Sequence, residues 1–139
     1  MKKLFFTFLF LAAASISTGR LQAQVIVIAN PGVNATEISK NDLKDVFTGA
    51  STRVGGVNVV PILLKSGTAH QEFLQVYIGK NDTAYLAGWR SLVFSGQASM
   101  PKVLDTDAAV VQFVAHNPGA VGYIGKATPH DGVKVLAVR

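Results

Sequence analysis

The residues from Val57 to Tyr77, VNVVPILLKSGTAHQEFLQVY, constrain this chain more than any other stretch. They open on an apolar, β-branched run, Val57 to Leu64, which suits a buried strand. The run stops at Lys65-Ser66-Gly67-Thr68, and apolar residues recur at Phe73, Val76 and Tyr77, the spacing of a helix ending at Gly79. Pro61 cannot donate to a sheet ladder, so it marks the strand's edge or a bend. The N–H groups in the first turn of a helix have no internal partner, and the helix dipole adds a partial positive charge there. Ser66 offers a cap, Gly67 permits close approach of an anion, and the Thr68 hydroxyl adds a donor. Two readings fit these residues: a cradle for an oxyanion, and an ordinary N-cap and turn that meets only water. The Gly-Lys-Ser/Thr order of a P-loop is absent.

Strands and helices alternate along the rest of the chain. Val25 to Ala29 is an apolar run closed by Asn30-Pro31-Gly32. Ser39 caps a helix with Asp42 in the capping-box position, Leu43, Val46 and Phe47 form its buried stripe, and Gly49 ends it. A loop containing Gly55-Gly56 leads into the central strand. Asn81-Asp82 caps a third helix, on which Tyr85, Trp89, Leu92 and Val93 share one face, as a core-packing stripe or a ligand-stacking pair. Pro101 to Leu104 is a short strand, and Asp105 or Thr106 caps a helix carrying Val110, Val111 and Val114. Ala120 to Ile124 is a further strand, in which Gly122 signals close approach of backbone or ligand. Val133 to Val138 is the last. The expected architecture is an α/β sheet with helices on both faces.

The N-terminal residues have a separate purpose. Met1-Lys2-Lys3, an apolar run from Leu4 to Ala14, and Leu21-Gln22-Ala23 form the pattern of a cleaved secretory signal. The run is shorter than the roughly 20 residues that span a membrane. A signal peptide over 1–23 and one domain over 24–139 are therefore expected, with export to the periplasm. Losing Lys2, Lys3 and Arg20 takes the 13 basic residues to 10 against 8 acidic ones, a net charge of about +2. That balance makes no case for nucleic acid and is compatible with an anionic ligand. With no cysteine, disulfides and thiolate metal sites are excluded.

Catalytic chemistry is hard to assemble from this sequence. His70, His116 and His130 are far apart, with no pair at metal-ligand spacing. His130-Asp131 reads as a base with its orienter or as a solvated turn. Ser66 lacks a nucleophile elbow. Asp42, Asp45, Asp105 and Asp107 are dispersed. No enzyme, cofactor or metal is expected.

The series Ala29-Asn30-Pro31, Leu43-Lys44-Asp45-Val46-Phe47-Thr48-Gly49, Ser66-Gly67-Thr68 before Phe73, and Asn117-Pro118-Gly119-Ala120-Val121-Gly122-Tyr123 resembles the phosphate-binding proteins of ABC transporters. The resemblance implies a type II periplasmic-binding-protein fold. It also implies phosphate, or a similar oxyanion, held by backbone N–H and hydroxyl donors. Ser66, Gly67 and Thr68 then match the phosphate loop, with Lys65 standing in for a basic residue that precedes it. Arg53-Val54 stands where the family usually has a tryptophan. The chain has roughly the length of one lobe of such a protein, so weak binding is expected, together with a partner: a second copy, or a transporter or membrane protein. The other reading is a non-catalytic interaction or scaffold protein.

Overall fold

The computed structural model describes residues 24–139; the expected signal segment lies outside the described residues. Val25–Ala29 (β1) and Ala120–Gly125 (β7) are the two most fully buried strands, and they pair antiparallel from Val25–Gly125 to Ala29–Val121. Continuous apolar runs of this kind satisfy a sheet covered on both sides. Around this pair forms a 6-stranded sheet in the order β2-β8-β1-β7-β5-β6, where β2 is Glu37–Ile38, β5 Val60–Leu64, β6 Lys102–Leu104 and β8 Lys134–Val138. β1 alone runs against the other five, because β8 and β7 are antiparallel to it while β2, β5 and β6 are parallel to their neighbours.

The helices divide between the faces as the pleat requires. Helix α4 (Asp107–His116) lies on the side of Gly122, where a β-carbon would come 2.8 Å from Val110 Cγ1 and 3.4 Å from Val114 Cγ2. The close approach signalled by Gly122 is thus that of a helix on a sheet. Tyr123, the next residue, points to the opposite face and packs among α1 (Lys40–Thr48) and α2 (Thr68–Phe73). Its ring stacks on Phe73 at 3.9 Å and meets Phe47 edge-on at 5.7 Å. Helix α3 (Asp82–Phe94) is tied to α1 through one carbonyl, that of Phe47, which accepts from the Tyr85 hydroxyl and from Trp89 Nε1 at 3.0 Å. Burial pushes the Tyr85 hydroxyl above the usual phenol range, so it serves as a neutral donor. Tyr85 and Trp89 are therefore core groups rather than a stacking platform for a ligand.

The caps of α1, α3 and α4 fall where the sequence puts them. Ser39 accepts from Asp42 N–H at 3.1 Å, Asn81 from Ala84 N–H at 2.8 Å, and Thr106, not Asp105, from Ala109 N–H at 3.1 Å.

Four expectations are corrected. The run from Val57 is not one strand: Val57–Asn58 (β4) pairs back on Arg53–Val54 (β3) across Gly55-Gly56 before β5 begins. Pro61 lies inside β5, but its missing donor faces β6, whose pairing starts only at Ile62–Lys102. The second helix does not bury Val76 and leaves Tyr77 only half-buried. Past Phe73 it widens into a π-helical turn, Leu74–Ile78, closed by Gly79 N–H to Leu74 O at 2.7 Å. The wider turn rotates Phe73, Leu74 and Ile78 inward and leaves Val76 exposed. On α3, Val93 is exposed as well, since only Tyr85, Trp89 and part of Leu92 face α1.

Candidate functional site

Strands β5, β6 and β7 run parallel, so their carboxyl ends share one edge of the sheet. From there α2 leaves β5 toward one face, whereas α4 leaves β6 toward the other and returns the chain to β7. In open α/β sheets the crevice between two such departures is where ligands bind. Lys65, Ser66, Gly67 and Thr68 all sit at this point, consecutive and exposed, on the step from β5 into α2. Lys65 N–H donates to Leu104 O at 2.9 Å, which holds the start of the turn against the end of β6.

The capping differs from the sequence reading. Gly67, not Ser66, is the N-cap residue of α2, with φ 102° and ψ 174°, and no side chain caps the helix. A residue with a β-carbon is strained at this φ, although a β-carbon here would meet nothing within 4 Å. The backbone conformation, rather than lack of room, explains the glycine. Ser66 is consequently left free of any capping duty.

The other helix starts are differently equipped. Helices α1, α3 and α4 each have a side-chain cap and an acidic residue in the first turn, Asp42, Asp82 and Asp107; α2 has neither. At α4 the carboxylate is already committed, because Asp107 Oδ2 accepts from Gly125 N–H at 2.8 Å and from the Thr128 hydroxyl at 3.1 Å. The dipole and first-turn N–H groups of α2 are accompanied by no carboxylate of its own first turn.

Beneath the turn lies a polar chain that the sequence did not reveal, buried at Leu64, Tyr123 and His70 and ending at the exposed Asp82. Leu64 N–H donates to the Tyr123 hydroxyl at 3.1 Å, that hydroxyl lies 2.6 Å from His70 Nδ1, and His70 Nε2 lies 2.8 Å from Asp82 Oδ1. With the ring neutral and its proton on Nε2, every donor in the chain has an acceptor. Burial pushes the Tyr123 hydroxyl well above the usual phenol range, so it is a proton-bearing donor throughout the ordinary pH scale. The sequence signal was slight: a lone histidine three residues before Phe73 on an apolar face.

The remaining sequence candidates do not assemble. His116 Nδ1 bonds to Gln112 O at 2.7 Å and His130 Nδ1 to Thr128 O at 2.8 Å, so His130 is not oriented by Asp131 through that nitrogen. No cluster of three or more potential metal ligands occurs among the described residues. No helix among them is long and apolar enough to cross a membrane.

This fold, a mixed sheet with helices on both faces and parallel strand ends at one edge, is that of the PstS-like periplasmic binding proteins. The chain is similar in structure to a candidate phosphate ABC transporter substrate-binding protein with bound phosphate from Clostridium perfringens (TM-score 0.63, 16% identity, 83% of this chain and 44% of that one). It is similar as well to PstS from Borrelia burgdorferi (TM-score 0.62, 20% identity, 84% and 47%). A third likeness is to an ABC-type phosphate transport receptor from Vibrio cholerae (TM-score 0.56, 17% identity, 83% and 46%). The chain thus spans less than half the length of these solved structures. Neither a protein-family model nor a curated protein sequence matches it.

Proposed function

We propose that this protein is an exported oxyanion-binding module that takes inorganic phosphate at Ser66, Gly67 and Thr68, with Lys65 beside them. Its role is that of a solute-binding component serving a phosphate ABC transporter, with a transporter or membrane protein, or a second copy of the chain, as its partner. The observation that carries the reading is the equipment of α2. Among the described residues it alone of the four α-helices starts without a side-chain cap or first-turn carboxylate, and it starts on Ser-Gly-Thr at the carboxyl ends of parallel strands. The same fold carries bound phosphate in the Clostridium perfringens protein. Amide and hydroxyl donors suit an anion that must not be repelled, and Lys65 adds a flexible positive charge. The site is open to solvent, so the anion keeps much of its hydration and affinity is modest. The named neighbours are transport proteins, and the oriented imidazole beneath the turn, His70, is buried and faces the buried Tyr123 hydroxyl rather than a solvent-exposed nucleophile, which favours a binding role over catalysis. The test is titration with phosphate and with sulfate, followed by calorimetry and by amide NMR. Shifts centred on Ser66, Gly67 and Thr68 are expected, and shifts elsewhere refute the site.

A second reading, an interaction protein, is favoured by one surface feature. Phe94 at the end of α3 is 95% exposed, with Val93 and Met100 exposed nearby around a shallow cavity that Arg90 also lines.

A further inference from the structure

The two flanks of the candidate turn meet at one buried atom, the Tyr123 hydroxyl oxygen. On the strand side Leu64, the last residue of β5, donates its N–H to that oxygen at 3.1 Å. On the helix side His70, in the first turn of α2, brings Nδ1 to 2.6 Å from it. Everything between those two anchors is the candidate site and its margins, Lys65 to Ala69. The oxygen itself is held firmly. Its ring is fully buried, stacked on Phe73 with an interplanar angle of 1° and edge-on to Phe47, and its strand pairs with β1 throughout. His70 is 3% exposed, and the Asp82 carboxylate on Nε2 fixes which ring nitrogen faces the tyrosine.

We propose that Tyr123 and His70 are positioning residues for phosphate: the Tyr123 hydroxyl pins both ends of the turn, so that Ser66, Gly67 and Thr68 are held in shape before the anion arrives. This inference rests on the reading that the turn takes phosphate. The physical need for a pin follows from what the turn lacks. Gly67 provides no capping side chain, and within the turn's backbone the Lys65 N–H to Leu104 O bond is the cross-strand tether. An anion that must order its own loop loses that conformational entropy from its affinity, whereas a preformed loop spares it. The pin reaches the site without touching the ligand, through one strand amide and one helical side chain.

The test uses the 15N-labelled protein and three substitutions. Tyr123→Phe keeps the ring packing and removes the pin. His70→Asn places an amide where Nδ1 stood and keeps the link to Tyr123; His70→Gln places it near Nε2 and keeps only the link to Asp82. The expected result for Tyr123→Phe is Leu64 amide exchange about tenfold faster, added motion at Ser66, Gly67 and Thr68 in 15N relaxation, and a phosphate Kd raised about tenfold. Amides of Val27 and Ile28 in β1 should stay protected. His70→Gln should behave like Tyr123→Phe, and His70→Asn like the unsubstituted protein. This pair decides the matter if Tyr123→Phe does not fold. Unchanged loop motion in Tyr123→Phe or His70→Gln, equal loss in both histidine variants, or an unchanged Kd in a loosened loop would overturn the inference. An unsubstituted protein that binds no phosphate refutes the proposed function instead, and the relaxation data then judge the pin alone.

Discussion

Removing the Asn30 side chain should cost more stability than almost any other polar substitution in this chain. Asn30 follows β1 and is buried, with three side-chain bonds. Nδ2 donates to the carbonyls of Val114 at 2.8 Å and Ala115 at 3.2 Å, and Oδ1 accepts from Gly32 N–H at 2.9 Å. The asparagine therefore closes the carbonyl end of α4 from a residue far away in sequence, and shapes its own turn as well. At a net ~0.5–1.5 kcal/mol per bond, the sum is roughly 1.5–4.5 kcal/mol. The bond to Val114 is the buried one and water can replace part of the other two, which narrows the expectation for Asn30→Ala to about 2–4 kcal/mol. Against a typical domain stability of about 5–15 kcal/mol this is a large share. Asn30→Asp separates hydrogen bonding from shape. It can keep the bond to Gly32 but turns a carboxylate oxygen toward two carbonyls at the negative end of a helix dipole. Folding then raises the introduced carboxyl's pKa above its ordinary ~3.9. A raised acid contributes its full stability only below the unfolded value and loses it as pH rises through the folded one. Hence Asn30→Asp should be milder near pH 4 and worse than Asn30→Ala at pH 7.5. Urea unfolding followed by circular dichroism, each variant referred to the unsubstituted protein at the same pH, reads both differences. An Asn30→Asp protein as stable as the original at pH 7.5 would refute this account.

Gly122→Ala should destabilise by about 1–3 kcal/mol through overpacking, since its β-carbon would come 2.8 Å from Val110 Cγ1; unchanged urea midpoints would mean that α4 can retreat at no cost. Ser66→Ala should leave thermal stability unchanged, because Ser66 caps nothing, yet weaken phosphate binding in calorimetry. For the unsubstituted protein a phosphate Kd on the order of 0.1–10 mM is expected, roughly 3–5 kcal/mol. Intact-mass measurement of exported material should give a chain beginning at Gln24; a species retaining residues 1–23 would refute the cleavage.

Much of the fold could be read because the residues that decide it act locally. The apolar runs at Val25 to Ala29 and Ala120 to Ile124, the caps Ser39, Asn81 and Thr106, and the helix stop at Gly49 each carry their signal within a few neighbours. The misreadings have local and non-local causes. Gly55-Gly56, both at positive φ, join β3 to β4 as a hairpin turn, a signal that was present but hidden by the apolar run after it. β2 is two residues long and exists because β8 offers it an edge, which no local pattern encodes. The π-helical turn changes the phase of the helix after Phe73. Its position follows from what α2 must bury against Tyr123 and Phe47 rather than from the residues Leu74 to Ile78 themselves.

The candidate site divides along the same line. The turn at Ser66, Gly67 and Thr68, where we propose that phosphate binds, was readable as a strand-to-helix step because its residues are consecutive. Its support was not, because His70, Asp82 and Tyr123 come from two helices and a strand and meet only in the folded chain. Physical chemistry still makes the pairing intelligible. A turn of small residues gains donors by exposing its backbone, and an exposed backbone has little to fix its own conformation. Order must then come from below, through groups that are buried yet polar enough to grip main-chain atoms. A buried tyrosine hydroxyl meets that description: it accepts from an amide, donates to an imidazole, and its pKa, driven up by burial, keeps it from ionising. The same logic explains why His70 is buried in the first turn of α2 while Ser66 and Thr68, a few residues before it, face solvent. One layer holds the turn, and the layer above it, where we propose that the anion binds, stays open to solvent.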